Sequence, residues 1–169
     1  MLNRYLLFVD RLNERIGNVV SLLMLPMIFL MTFEVFMRYA MDAPTMWGTE
    51  LVAYLFAGYS LLGGAYTLLY EDHVNINVFY NRQSPRRKAI LDSITAVIFF
   101  LYVWVLLWEG SKFALDGLLH DRHSGTDWNV PLYPVLMALP IGAFLMLIQG
   151  VAKFTRDLDT AVSGQKVAK

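Results

Sequence analysis

Four runs of uncharged, mostly apolar residues dominate this sequence, and each stops where ionisable side chains begin. Leu51–Tyr70 shows the pattern best: 20 residues without a charge lie between Glu50 and Glu71. Ile16–Phe33 supplies 18 more, Ser93–Trp108 supplies 16 that Ala89–Asp92 and Glu109 extend, and Trp128–Ala152 supplies 25. A helix rises about 1.5 Å per residue, so about 20 residues cross a hydrocarbon core of ~30 Å. In lipid every backbone N–H and C=O must find its partner within the protein, which a helix achieves within one segment. The chain therefore reads as an all-α membrane protein with four transmembrane helices. The spans fall near 16–39, 48–70, 89–109 and 130–152, in a single membrane domain over 1–169 with a tail over 153–169.

Composition agrees, since 57% of the residues are apolar and only 17% are charged, too little polar surface for a soluble domain of this size. Net charge is zero and no basic stripe is present, so nucleic acid is not a partner. The absence of cysteine removes thiol catalysis, thiolate metal sites and disulfides. Residues 1–15 place Leu2, Tyr5, Leu6, Val9 and Leu12 at helical spacing with Arg4, Arg11 and Arg15 elsewhere. That pattern fits a short amphipathic helix in the headgroup region or an extension of the first span. With Asp10 and Glu14 ahead of the apolar run and no small-x-small site after it, this is not an ordinary signal peptide. Lysines and arginines alternate strongly: eleven lie in the two terminal segments and the second loop, and three in the first and third loops. Both termini are thus expected in the cytoplasm. Trp47, Trp108 and Trp128 then fall at the outer interface as an aromatic belt.

Polar groups inside the spans are few. Glu34 is the one carboxylate within a predicted span, and Arg38 follows four residues later in the favourable acid-then-base order. An ion pair there lowers the cost of insertion; a place in an ion pathway is the other reading. In the second span Ala53 and Ala57, then Ser60 and Gly64, form small-xxx-small pairs, with Gly58 and Gly63 beside them. Small residues let helices approach closely, so this helix is the expected site of tight packing in the bundle or against a partner subunit. The third span is bulky and apolar all round, which suits lipid contact, and Pro140 should kink the fourth. The third loop, Gly110–Asp127, is expected to begin as a helical extension and turn at His123-Ser124-Gly125.

Little here carries reaction chemistry. Asp116, His120 and His123 share one helical face, but two histidines on a polar loop are a weak metal signal. Four-helix anchors of respiratory enzymes hold haem between histidines, whereas His73, His120 and His123 all lie outside the spans. No nucleophile–base spacing, phosphate loop or intramembrane acid pair is present, so an enzyme is not indicated. Four spans without a repeat also offer too little for a midplane transport site. A small membrane subunit whose partner holds the substrate path is the physical conclusion.

Several motifs in order then resemble a known family. Arg38-Tyr39, Ala43-Pro44, Trp47, Glu50, Leu62-Gly63-Gly64-Ala65-Tyr66, His73-Val74-x-Ile76 and Pro85-Arg86 are similar to the small, DctQ-like permease subunit of tripartite ATP-independent periplasmic (TRAP) transporters. Trp128, Pro131, Tyr133-Pro134 and Leu147-Ile148-Gln149-Gly150 continue the resemblance over most of the chain. It implies a multi-pass protein of the bacterial inner membrane, paired with a large M-type permease subunit and served by a periplasmic substrate-binding protein. It further implies sodium-coupled uptake of organic acids, with sodium and substrate held by the large, elevator-type subunit and no cofactor in this one. Where the family often has Asp, this chain has Asn77. The FYNRQSPR and Gln149-Gly150 details look closer to carriers of 2-oxo, lactate-like or aromatic acids than to sialic-acid carriers.

Within that frame Arg38, Trp47 and Glu50 are expected to close the outer end of the first hairpin, with Glu34 and Glu50 competing for Arg38. His73, with Asn75 and Asn77, is expected to tie the cytoplasmic end to headgroups or to the large subunit. Arg86 belongs to the basic cluster and Trp128 to the outer belt. The competing functional readings are a haem- or quinone-associated respiratory anchor and a self-assembling four-span channel.

Overall fold

The computed structural model describes residues 2–70 and 85–163, and its named elements are all helices. These are α1 (Leu2–Ser21), α2 (Met24–Tyr39), α3 (Met46–Leu69), α4 (Pro85–Leu119) and α5 (Tyr133–Ser163). Among the described residues four segments are long and apolar enough to cross a membrane: Arg4–Tyr39, Met46–Leu69, Ile94–Leu119 and Tyr133–Thr160. The all-α, four-span architecture read from the apolar runs is the one the chain adopts.

α1 takes the second of its two sequence readings and extends the first span. Its buried face is Leu6, Val9, Asn13, Gly17 and Val20, at three-and-four spacing, so it is set by packing as much as by apolarity. Tyr5, part of the expected apolar face, is exposed. Pro26 causes the short break before α2. It has no N–H for the Leu22 carbonyl, which instead accepts from Leu25 N at 3.2 Å, while Leu23 N reaches Val20 O at 3.0 Å. The tightened turn is what a proline early in a helix imposes on the residues before it.

The helices form a row. α2 packs on α3, α3 on α5 and α5 on α4, while α1 crosses α3 to reach α5. The bend at Leu22–Leu23 lets one span serve both contacts. α5 is the hub: 39% of its most apolar window is buried, against 11% for each of the other three spans. One end of the row carries the α2–α3 and α4–α5 turns and is called the hairpin end; the other carries the chain termini.

Close approaches at glycine set the register. A Cβ on Gly142 would stand 2.3 Å from the Leu61 carbonyl oxygen, so α5 and α3 cross backbone to backbone there. The Tyr66 ring lies on Gly17 of α1, and Met146 lies on Gly64 of α3. Along α4, Leu139 and Leu136 of α5 fill the hollows at Gly110 and Gly117, and Phe99 covers Gly150. This packing carries α4 through Leu119, so the helical extension expected beyond the span's end at 109 is present, despite Glu109, Lys112 and Asp116. α5 likewise runs on through residues expected in the tail, and stays helical through Pro140.

Candidate functional site

The hairpin end gathers most of the residues singled out in the sequence. Glu34, in the last turns of α2, is 3% exposed. One carboxylate oxygen accepts from the Arg38 guanidinium at 2.8 Å. The other accepts from the Thr45 backbone N–H at 3.2 Å and from the Thr45 hydroxyl. Thr45 precedes α3 in extended conformation and makes no side-chain cap, because its hydroxyl is committed to Glu34. Gly48 is needed beside them: a Cβ there would lie 2.6 Å from Thr45 Oγ1 and 3.0 Å from Glu34 Oε2. The competition for Arg38 is therefore settled within α2, where the pair spans one turn.

Glu50 is engaged elsewhere. Its Oε1 accepts from the Tyr54 hydroxyl at 2.7 Å and its Oε2 from the Thr126 hydroxyl at 2.6 Å. Thr126 reaches it because the α4–α5 connection is a tight, ordered loop. Arg122 N bonds to Gly117 O at 3.0 Å around Asp121, whose φ is +44°, closing the end of α4. Ser124 N then donates to Val130 O at 2.9 Å and Leu132 N to Arg122 O at 2.8 Å. The turn expected at His123-Ser124-Gly125 falls a few residues later: His123 bridges to Pro131, and the chain reverses where Asn129 N donates to Thr126 O at 3.0 Å, after Gly125 at φ +68°. Trp47 joins the two hairpins through its ring, 6.3 Å from Phe33 and 6.5 Å from Trp128. Glu50 and Trp47 thus tie the α4–α5 loop to the start of α3.

The termini end holds a second polar cluster that the sequence reading missed. Asn13 Nδ2 donates to Gln149 Oε1 at 2.7 Å, and both side chains are 1% exposed. Gln149 Nε2 donates to Asp10 Oδ1 at 3.1 Å, and Arg156 grips Asp10 at 2.5 and 3.3 Å. Asn13 Oδ1 is buried without a hydrogen-bond partner. Asp10 and Asn13 sit three residues apart on the face that carries Leu6, Val9 and Gly17. That spacing was the available signal. Tyr70 adds a further link, its hydroxyl 3.3 Å from Glu14 Oε1.

The remaining sequence candidates fall as follows. Gly64 packs on Met146, whereas a Cβ on Gly58 or Gly63 would meet nothing within 4 Å. The tight α3 contact to α5 runs through Leu61 and Gly64, and among the described residues nothing covers Gly58 or Gly63. His73, Asn75 and Asn77 lie outside the described residues, and Arg86 is placed only by its backbone in the first turn of α4. Asp116 pairs with His120 at 3.0 Å and Arg122 at 2.5 Å, while His123 Nδ1 lies 2.7 Å from the Asp121 carbonyl. Among the described residues no group of three or more His, Asp or Glu is placed to hold a metal.

Two carboxylates at one end and an Asp–Gln–Asn–Arg cluster at the other are each occupied in fastening one helix to another. This is the pattern of a polytopic helical membrane subunit. The chain belongs to the family described as tripartite ATP-independent periplasmic transporters, DctQ component, whose family model matches residues 27–160. That family is a transporter component and not an enzyme. The chain is similar to the C4-dicarboxylate TRAP transporter small permease protein DctQ of Rhodobacter capsulatus, 32% identical over 103 residues that cover 60% of this chain. The match covers 44% of that protein, so it reaches less than half the length of the relative. The family match begins in α2 and leaves α1, with Asp10 and Asn13, outside it.

Proposed function

We propose that this chain is the non-transporting scaffold subunit of a sodium-coupled importer of organic acids. In this reading a large M-type permease subunit holds the sodium and substrate sites and moves as an elevator, and a periplasmic binding protein delivers the acid. The small subunit widens and steadies the immobile part of that assembly in the inner membrane. The hairpin end faces the periplasm and the termini end the cytoplasm, as the eleven-to-three distribution of basic residues favours.

One observation carries the reading: at both ends of the row, polar side chains are engaged in contacts between segments, Glu34 with Thr45, Glu50 with Thr126, and Asp10 with Gln149 and Arg156. The grooves between α4 and α5 are lined chiefly by apolar side chains such as Leu107, Met137, Ile141 and Phe144. Cargo with a carboxylate needs donors or cations turned towards it, and these grooves offer apolar walls. Trp47, Glu50 and Trp128 act as the fastening of the two hairpins, while Arg38 neutralises Glu34, which anchors the turn into α3. The α3 positions Gly58 and Gly63, which no described residue covers, are offered to lipid or to the large subunit.

The test is affinity purification of the tagged chain, in mild detergent, from cells that also express the large permease subunit. Stoichiometric recovery of that large subunit supports the reading. Purification as a stable homo-oligomer that conducts ions, or with a haem absorption band, would replace it with one of its competitors.

A further inference from the structure

The contacts along α5 fix how deep α4 lies in the row. Gly142 touches Leu61 near the middle of α3, and Leu139, one turn earlier on α5, fills the hollow at Gly110 of α4. Glu109 and Lys112 are therefore level with the central turns of α3, about 12 Å or more from either end of that helix at 1.5 Å per residue. They form an ion pair at 2.9 Å, with side chains 62% and 58% exposed. The Lys112 ammonium also lies 5.1 Å from the Trp108 ring centroid. The sequence reading put this pair at the outer rim, because the apolar run of α4 stops at Trp108. Packing shifts α4 against α5 by several residues and draws the pair inward.

Ionisable side chains at mid-membrane depth face protein or a water-filled cavity, not hydrocarbon. Within the chain α4 packs against α5, and the pair lies on the outer side of that edge helix. The same stretch borders a groove of about 380 Å³ lined by Tyr102, Leu106, Glu109, Phe113 and Leu139. One carboxylate oxygen of Glu109 and the remaining ammonium hydrogens of Lys112 are left over from the pair. We propose that the α4 edge around Glu109 and Lys112 is the docking face for a transmembrane helix of the partner permease. That helix seats an apolar side chain in the groove and presents a polar side chain that both donates to Glu109 and accepts from Lys112. The assignment rests on the reading that a large permease subunit is the partner, and it names which edge of the row meets it.

A photo-crosslinking amino acid placed at Tyr102 or Phe113 in the assembled complex tests this, with Phe29 on α2, at the opposite edge and 70% exposed, as the control. Crosslinks from 102 and 113 to the large subunit, with none from 29, are expected. Intact complex with only lipid adducts at 102 and 113 overturns the docking face while leaving the proposed function standing. Failure of any large subunit to co-purify with the unmodified chain overturns both. The double variant Glu109→Leu with Lys112→Leu should lower recovery of the large subunit roughly tenfold while the small subunit itself stays monodisperse. Undiminished recovery of the partner would show that the pair faces lipid.

Discussion

Replacing Gly142 by alanine should loosen this protein where replacing Gly63 does not, although the chemical change is identical. The added methyl on Gly142 would stand 2.3 Å from the Leu61 oxygen and 2.8 Å from its carbonyl carbon, whereas at Gly63 it meets nothing within 4 Å. Ordinary carbon–oxygen contact needs about an ångström more than the first distance, and a backbone carbonyl cannot rotate away as a side chain would. The α3–α5 crossing must therefore open, losing dispersion along the face that Gly64 and Met146 share. Overpacking of this kind costs about 1–3 kcal/mol, more when backbone must move. Alanine in a helix returns up to about 1 kcal/mol relative to glycine. The expected balance is a net loss of about 2 kcal/mol at 142 and a change between zero and a gain of about 1 kcal/mol at 63. The assay is reversible unfolding of each purified variant in mixed micelles of increasing denaturing-detergent fraction, followed by tryptophan fluorescence. Equal midpoints for the two variants, or a more stable Gly142→Ala, would refute the backbone-to-backbone crossing.

Other consequences can be checked in parallel. Asp10→Asn should weaken the docking of α1 on α5 by about 2 kcal/mol, since a mostly buried charge-assisted pair to Arg156 is lost; faster hydrogen exchange confined to α1 and the end of α5 is the expected signature. Thr126→Val removes the donor to Glu50 and should raise exchange several-fold in the α4–α5 loop while leaving the Asp10 cluster unchanged. Arg38→Ala leaves Glu34 buried without its cation and should reduce the yield of assembled complex; normal assembly and transport would show that Glu34 does not need it.

Much of the architecture was legible because lipid imposes a coarse rule: about 20 uncharged residues bounded by charges make a span. The Glu34–Arg38 pair was legible too, as four-residue spacing on a helix brings the two side chains together whatever the tertiary fold. What the sequence could not show depends on how helices meet. Glu50 finds Thr126 across 76 residues, and Asp10 finds Arg156 across 146; no local pattern encodes those pairings. The small residues of α3 were recognised as packing positions, yet periodicity does not say which of Gly58, Gly63 and Gly64 receives a neighbour. Among the described residues only Gly64 does. The helical extension of α4 beyond 109 was legible in its residues, whereas the α5 leucines that fill the hollows at Gly110 and Gly117 were not. Pro26, like the Asp10–Asn13 spacing, is a local signal, and it explains the break that divides the first span.

In the proposed function this chain supports transport without carrying cargo. Sodium-driven uptake of a labelled organic acid into proteoliposomes, measured with this subunit alone and with the large permease subunit and binding protein added, tests it most directly. Uptake is expected only when the large subunit is present, and to fall when this chain is then left out. Saturable uptake by this chain alone would contradict the account.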